Sequence, residues 1–351
     1  MIRSAADARD TRPVAVWLFV VAAFVVAMVV VGGATRLTGS GLSITRWRPV
    51  SGAIPPLGHA AWLDLFSQYR STPQYRLVNR GMSLGQFQFI FWWEWTHRLL
   101  GRAVGLVFAV PFLVFLATRR LRGVLAWRCL ALLMLGGVQG LVGWWMVESG
   151  LERRVLVVPE RLATHLGLAL LLLAALVWTG LDAWSGPRRG TRGRRAGSLW
   201  PAIGGLFAAG VFLQCLLGAL VAGNQEGLID NDWPRMGGRW FPADYVHGGF
   251  WATAAHGPAA VQFDHRVFAY CLGLSALGIA VGAVRSGRLS MPARVLGLAV
   301  GAMAVLQIGL GIATLMSGVA LPLAIGHQAT AAALMIVATA FAWRTRRGTV
   351  S

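Results

Sequence analysis

The sequence predicts an all-α integral membrane protein: eight transmembrane helices arranged as two pseudo-symmetric four-helix bundles, with both termini cytoplasmic (N-in/C-in). Three observations predict it. The 351 residues are 56% hydrophobic and only 13% charged, whereas soluble domains carry about a quarter charged residues. The apolar residues fall in long blocks, and crossing the hydrocarbon core takes about 20 of them. Motifs of the first half also return, in order, in the second.

The blocks run roughly 14–34, 89–117, 124–147, 162–182, 201–223, 262–284, 292–316 and 320–343. Lipid leaves a spanning backbone only helices or closed barrels, and the alternating ten-residue pattern of a barrel is absent. The first block follows Pro13. It is too long for the apolar region of a cleaved signal peptide and reads as the first span. Cys129, Cys215 and Cys271 all sit within apolar blocks, so no disulfide framework is expected.

The formal net charge is +19, and every one of the 32 basic residues is arginine. In a soluble chain this would suggest nucleic acid, but the placement argues otherwise. Eighteen arginines lie at the termini and in the second, fourth and sixth loops, against Asp7, Asp10 and Asp182. Cytoplasmic loops collect positive charge, so the odd loops face outward, although the first still holds six arginines between Arg36 and Arg80. The run GPRRGTRGRR (186–195) reads as an orientation signal attracted to lipid headgroups, and no nucleic-acid partner is expected. It separates an N-terminal half (1–185) from a C-terminal half (201–351) through a linker at 186–200.

The halves share His97-Arg98 with His265-Arg266 and Gln139 with Gln307, both pairs separated by the same number of residues. THLGLALLL (164–172) and GHQATAAAL (326–334) form a third match. Four helices per half keeps both copies in one orientation, which makes this a parallel repeat. Gly32, Gly33, Gly136, Gly137, Gly140, Gly309 and Gly311 read as close-packing residues.

Of seven histidines, His59, His247 and His256 fall in polar outer loops. The other four lie in apolar blocks: His97, His165, His265 and His327. Ionisable residues inside a membrane are costly and mark function. All four stand near the outer start of even-numbered helices, at similar depth. His97 would pair with His165, and His265 with His327, as axial ligands of two haem irons. Zinc is the rival metal, but structural zinc favours thiolate or carboxylate ligands. Arg36, Arg98, Arg102 and Arg266 lie where they could pair with haem propionates. Trp92, Trp93 and Trp95 could pack on a macrocycle or form an interfacial belt.

Glu94 breaks the symmetry, because its counterpart before His265 is Gln262. It shares a helix face with His97 and suits proton exchange or stabilisation of developing cationic charge. An ion pair with Arg98 or Arg36 is its structural alternative.

GGATRLTGSGLSITRWRPVSGAIPPL (32–57), WWEWTHRLLGR (92–102), ATHLGLALLL (163–172), GLIDNDWPRM (227–236), FDHR (263–266) and GHQATAAAL (326–334) together resemble the haem A synthase family along nearly the whole chain. The resemblance implies oxidation of the C8 methyl of haem O to a formyl group, by successive hydroxylations and loss of water, giving haem A for cytochrome oxidase. It implies that Glu94 is the essential acid, that His97 and His165 hold the haem O substrate, and that His265 and His327 ligate a resident haem b. The chain lacks the loop cysteine pairs of some bacterial members and is similar to the proteobacterial and mitochondrial variant. A bacterial inner-membrane location, haem sites towards the periplasm, membrane lipid, haem O synthase, a membrane or periplasmic electron carrier and a homo-oligomer are the corresponding expectations for place and partners. The outer-loop Asp230 and Asp232 read as loop-folding or substrate-side groups. The alternative functional reading is a bis-histidine di-haem b-type electron-transfer cytochrome. A repeat-built transporter is weaker, since such sites sit at the midplane.

Overall fold

A computed structural model describes residues 10–151, 154–186 and 198–347. Most of the arginine-rich linker lies outside the described residues. The described chain runs α1 (Arg12–Leu37), α2 (His59–Arg70), α3 (Pro73–Leu77), α4 (Leu84–Ala117), α5 (Gly123–Leu151), α6 (Pro159–Ser185), α7 (Trp200–Gly223), α8 (Phe250–His256), α9 (Pro258–Arg285), α10 (Met291–Met316) and α11 (Leu321–Arg346). Eight of these, all but α2, α3 and α8, are long and apolar enough to cross a membrane. They coincide with the eight blocks predicted. Among the described residues there is no strand.

The sequence sets the helix starts. Proline stands at the first or second position of α1, α6, α7, α9, α10 and α11, where its missing N–H costs nothing. α4 begins earlier than its apolar block because Ser83 and Gln86 close a reciprocal capping box. Consecutive spans joined by the short segments 118–122, 286–290 and 317–320 run antiparallel. The long connections, carrying α2, α3 and α8, therefore gather at one end of the bundle, where the even-numbered spans α4, α6, α9 and α11 begin.

α1 packs on α4 and α6, and α5 packs on α6; α10 packs on α9 and α11, and α7 on α9 and α11. Two apolar cores result. Val14, Leu18, Val21, Leu173 and Leu176 centre the first, and Phe207, Val211, Ala276, Val300 and Phe341 the second. Phe212 and Cys215 on α7 pack against both. The two sets meet along α1–α11, α6–α7 and α6–α11. At Gly204 a Cβ would come within 2.9 Å of the Ala342 Cα, so only glycine lets α7 approach α11 this closely. Away from the long loops, Asp182 ties α5, α6 and α11 together by accepting from Arg128 (2.9 Å), Arg347 (3.0 Å) and the Trp343 indole (3.0 Å).

Candidate functional site

The four intramembrane histidines occupy one kind of place. Each stands on an even-numbered span, and each ring lies against a glycine of the odd-numbered span before it. A Cβ on Gly32 would lie 2.9 Å from His97, on Gly143 2.8 Å from His165, on Gly218 3.0 Å from His265, and on Gly311 2.9 Å from His327. Real Cβ atoms essentially never come under 3.0 Å and rarely come as close as 3.0 Å, so these glycines are the spaces into which the imidazoles fit. His97 and His165 lie within electrostatic reach of each other, and so do His265 and His327.

Three rings have an amide partner one helical turn before the glycine. Gln139 Nε2 lies 3.2 Å from His165 Nδ1 and donates to the His165 carbonyl at 3.0 Å. Gln214 Nε2 stands 3.0 Å from His265 Nδ1 and 3.0 Å from its carbonyl. Gln307 repeats this on His327, at 3.1 Å and 3.0 Å. The amide oxygens of all three glutamines are buried and unpartnered. Gln214 went unnoticed in the sequence, yet its signal was there: Gln-x-x-x-Gly recurs in α5, α7 and α10.

Glu94 is 3% exposed, and four donors converge on its carboxylate. Oε1 accepts from Arg98 Nη2 at 2.6 Å and Nε at 3.1 Å. Oε2 accepts from Ser43 Oγ at 2.7 Å and the Ile44 N–H at 2.8 Å. Arg98 continues to the carbonyls of Ile44 (2.9 Å) and Arg46 (3.4 Å), and Arg102 donates to those of Arg48 (2.8 Å) and Pro49 (2.7 Å). The long connection between α1 and α4 is thereby fastened to α4 one turn before His97. The ion pair weighed as the alternative for Glu94 is present, and its partner is Arg98. Arg36 instead donates to the Ala222 carbonyl at 2.8 Å, linking α1 to α7.

Gln262 and Arg266 fasten the other long loop in the same way, with reversed polarity. Arg266 donates to Gln262 Oε1 and to the carbonyls of Asp230 (2.7 Å), Asp232 (3.0 Å) and Arg235 (3.0 Å). Gln262 Nε2 donates to the carbonyls of Glu226 and Ile229. The first loop presents donors to residue 94, and the second presents acceptors to residue 262. A carboxylate fits the former and an amide the latter.

Asp232 accepts from the N–H groups of Gly237 (2.8 Å) and Gly238 (3.0 Å), which hold it below the ordinary carboxylate range. It is a loop-folding residue. Asp230 serves through its carbonyl. Trp92 and Trp95 pack edge to face at 5.3 Å, and Trp92 meets Trp62 of α2 at 5.7 Å. His256 binds Glu160 at 2.6 Å, joining α8 to α6.

Two imidazoles per site suit a metal that brings its own equatorial ligands. Among the described residues, no group of three or more His, Cys, Asp or Glu stands together; the two imidazoles of each pair are a donor set that fits haem. Ligation through Nε2 needs a proton on Nδ1. Each glutamine Nε2 is held by the His carbonyl and stands at the Nδ1 side of the ring, which fixes the ring's orientation; turning the amide so that its oxygen accepts that proton would cost the bond to the carbonyl. Arg102 Nη1 and Arg266 Nε are also buried without partners, as donors awaiting carboxylates would be. An apolar groove of about 460 Å³ lies between α5, α6 and α7, lined by Val138, Val142, Thr164, Leu171 and Phe212; His165 is not part of its lining.

The model of the COX15-CtaA family, described as cytochrome oxidase assembly protein, matches residues 15–339. The chain belongs to this family. It is 57% identical over 338 residues to the heme A synthase of Caulobacter vibrioides, covering 96% of this chain and 97% of that one. It is 46% identical over 345 residues to the heme A synthase of Maricaulis maris, with coverage of 96% and 97%. The heme A synthase of Brucella ovis is 44% identical over 343 residues, with coverage of 97% and 93%. The family resemblance seen in the motifs thus extends over the whole membrane-spanning region.

Proposed function

We propose that the chain is a membrane-bound oxidoreductase that converts haem O to haem A for cytochrome oxidase, acting on the C8 methyl. The observation that carries this reading is the pair of matched imidazole sites in a chain of this family. His265 and His327 would ligate a resident haem b, which supplies redox chemistry when bound. His97 and His165 would hold the haem O substrate. Of the arginines read as propionate partners, Arg102 and Arg266 would donate through their unpartnered N–H groups, while Arg36 is engaged by the Ala222 carbonyl and Arg98 by Glu94 and the loop carbonyls.

Glu94 would serve as the acidic group of the substrate half. A proton can enter only where a donor leaves. Arg98 and the Ile44 N–H are fixed, whereas the Ser43 hydroxyl also reaches the Ile90 carbonyl at 3.3 Å. Turning Ser43 onto that carbonyl frees Oε2, which is the atom that would hold the exchanged proton. The orientation expected from arginine placement puts the sites towards the periplasmic side of a bacterial inner membrane. Haem O synthase, an electron carrier and a second copy of the chain are the proposed partners.

The test is expression with a source of haem O, followed by extraction of the haems. Formylated haem is expected from the natural chain and none from Glu94→Ala, with haem b content nearly unchanged. Two retained b-type haems and no formylated product from the natural chain would favour the di-haem cytochrome instead.

A further inference from the structure

The four histidine sites are alike except in one respect. The position one turn before the glycine is Gln139, Gln214 and Gln307 in α5, α7 and α10, but in α1 it is Met28. The Met28 methyl reaches over the turn of α4 beyond His97, 3.6 Å from where a Cβ at Gly101 would stand. The unsupported ring is also the one turned differently. His165, His265 and His327 present Cε1 to their glycines, with Nδ1 next at 3.4 to 3.6 Å, and so keep Nδ1 beside the amide. His97 instead presents Nε2 to Gly32 at 2.9 Å and Cδ2 at 3.3 Å.

We infer that Met28 makes His97 the releasable ligand of the first pair, and that this is what renders one porphyrin site exchangeable and the other permanent. The inference rests on the proposed assignment of His97 and His165 to the substrate. Gln139, Gln214 and Gln307 are each held by the His carbonyl and stand at the Nδ1 side of the ring, so they fix its orientation; loss of a partner that orients a ligating imidazole commonly costs about 10–100-fold in affinity. A thioether has no N–H and cannot hold a ring in this way. His97 must swing its Nε2 away from Gly32 to bind iron, and nothing in α1 holds it there afterwards. A substrate has to leave as product, whereas a resident cofactor must stay, and the methionine falls in the half where release is needed. Met28 is thus a positioning residue that acts through His97.

The test uses the full-length protein in detergent, loaded with hemin as the probe, and follows porphyrin loss to excess apomyoglobin by absorbance. Two phases are expected, the faster one absent from His165→Ala. In Met28→Gln the faster phase should slow on the order of 10–100-fold while the slower phase is unchanged. Gln139→Met should accelerate the faster phase, and Gln214→Met the slower one. An unchanged faster phase in Met28→Gln, with the slower phase intact, overturns the inference alone. If His165→Ala removes no phase, the site assignment fails and the inference with it. If Met28→Gln loses both phases through misfolding, the two Gln→Met variants decide: acceleration supports the inference, and unchanged rates overturn it.

Discussion

Glu94→Gln isolates the polarity of the loop attachment. In the natural chain both carboxylate oxygens accept, one from Arg98 and one from Ser43 and the Ile44 N–H. An amide has one oxygen. If that oxygen stays with Arg98, its NH2 group faces the Ile44 N–H, two donors against each other. Leaving that buried N–H unpaired costs about 1–3 kcal/mol, and replacing the charge-assisted bond to Arg98 by a neutral one costs about 1 kcal/mol more. Together these amount to roughly 2–4 kcal/mol. The opening equilibrium of loop 43–49 should therefore rise on the order of 30- to 1,000-fold, since about 1.4 kcal/mol is tenfold. Arg46 and Arg48 lie in this loop and report on it. Where opening is fast relative to cleavage, proteolysis tracks the open population. Limited trypsin digestion of the purified protein, followed at Arg46 and Arg48 by mass spectrometry, should show the increase. Gln262→Glu should do the same to the second loop by facing a carboxylate with the carbonyls of Glu226 and Ile229. Cleavage at Arg46 and Arg48 unchanged by Glu94→Gln would refute the polarity argument.

Other predictions follow from the same geometry. Ser43→Ala removes one bond to a carboxylate, about 1.5–3 kcal/mol, and should raise loop cleavage; if Ser43 gates the proton at Oε2, haem A output should fall while haem b content holds. Gly311→Ala places a methyl 2.9 Å from His327 and should lower haem b content in the purified protein, whereas Gly105→Ala, which meets nothing within 4 Å, should leave it unchanged. Glu226 is buried, with one oxygen unpartnered, and burial first and Asp230 second raise its carboxyl above the ordinary 4.5. A raised acid stabilises the fold below its unfolded value and loses that contribution as pH climbs through the folded value. Glu226→Gln should accordingly be more thermostable than the natural chain at neutral pH, with the difference closing as pH falls towards 4.5; equal differences at all pH values would contradict this.

The helices were legible because lipid permits few solutions and because their blocks are long. The four intramembrane histidines were legible for a related reason: an imidazole in an apolar block stands out, and motif matches between the halves single out each of the four. The glutamine at the brace position was half legible. Gln139 and Gln307 lie in similar strings, but Gln214 is embedded in FLQCLLGAL, and Met28 looks like any lipid-facing residue until its place relative to Gly32 is known. The reason for Glu94 and Gln262 was not legible. It depends on whether the loop backbone offers the Ile44 N–H or the Ile229 carbonyl, and backbone polarity leaves no residue signature. The arginines were read as propionate partners from charge and depth. Most of the hydrogen bonds they make go to loop carbonyls, which composition cannot reveal, and Arg36 binds the neighbouring helix α7.

Haem content of the full-length protein and its four single His→Ala variants, measured as pyridine haemochromes after purification, tests the central claim most directly. The account predicts that His265→Ala and His327→Ala each lose the resident haem b, while His97→Ala and His165→Ala keep it and fail to retain added haem O. Full haem b in either His265→Ala or His327→Ala, or undiminished haem O binding in both His97→Ala and His165→Ala, would contradict it.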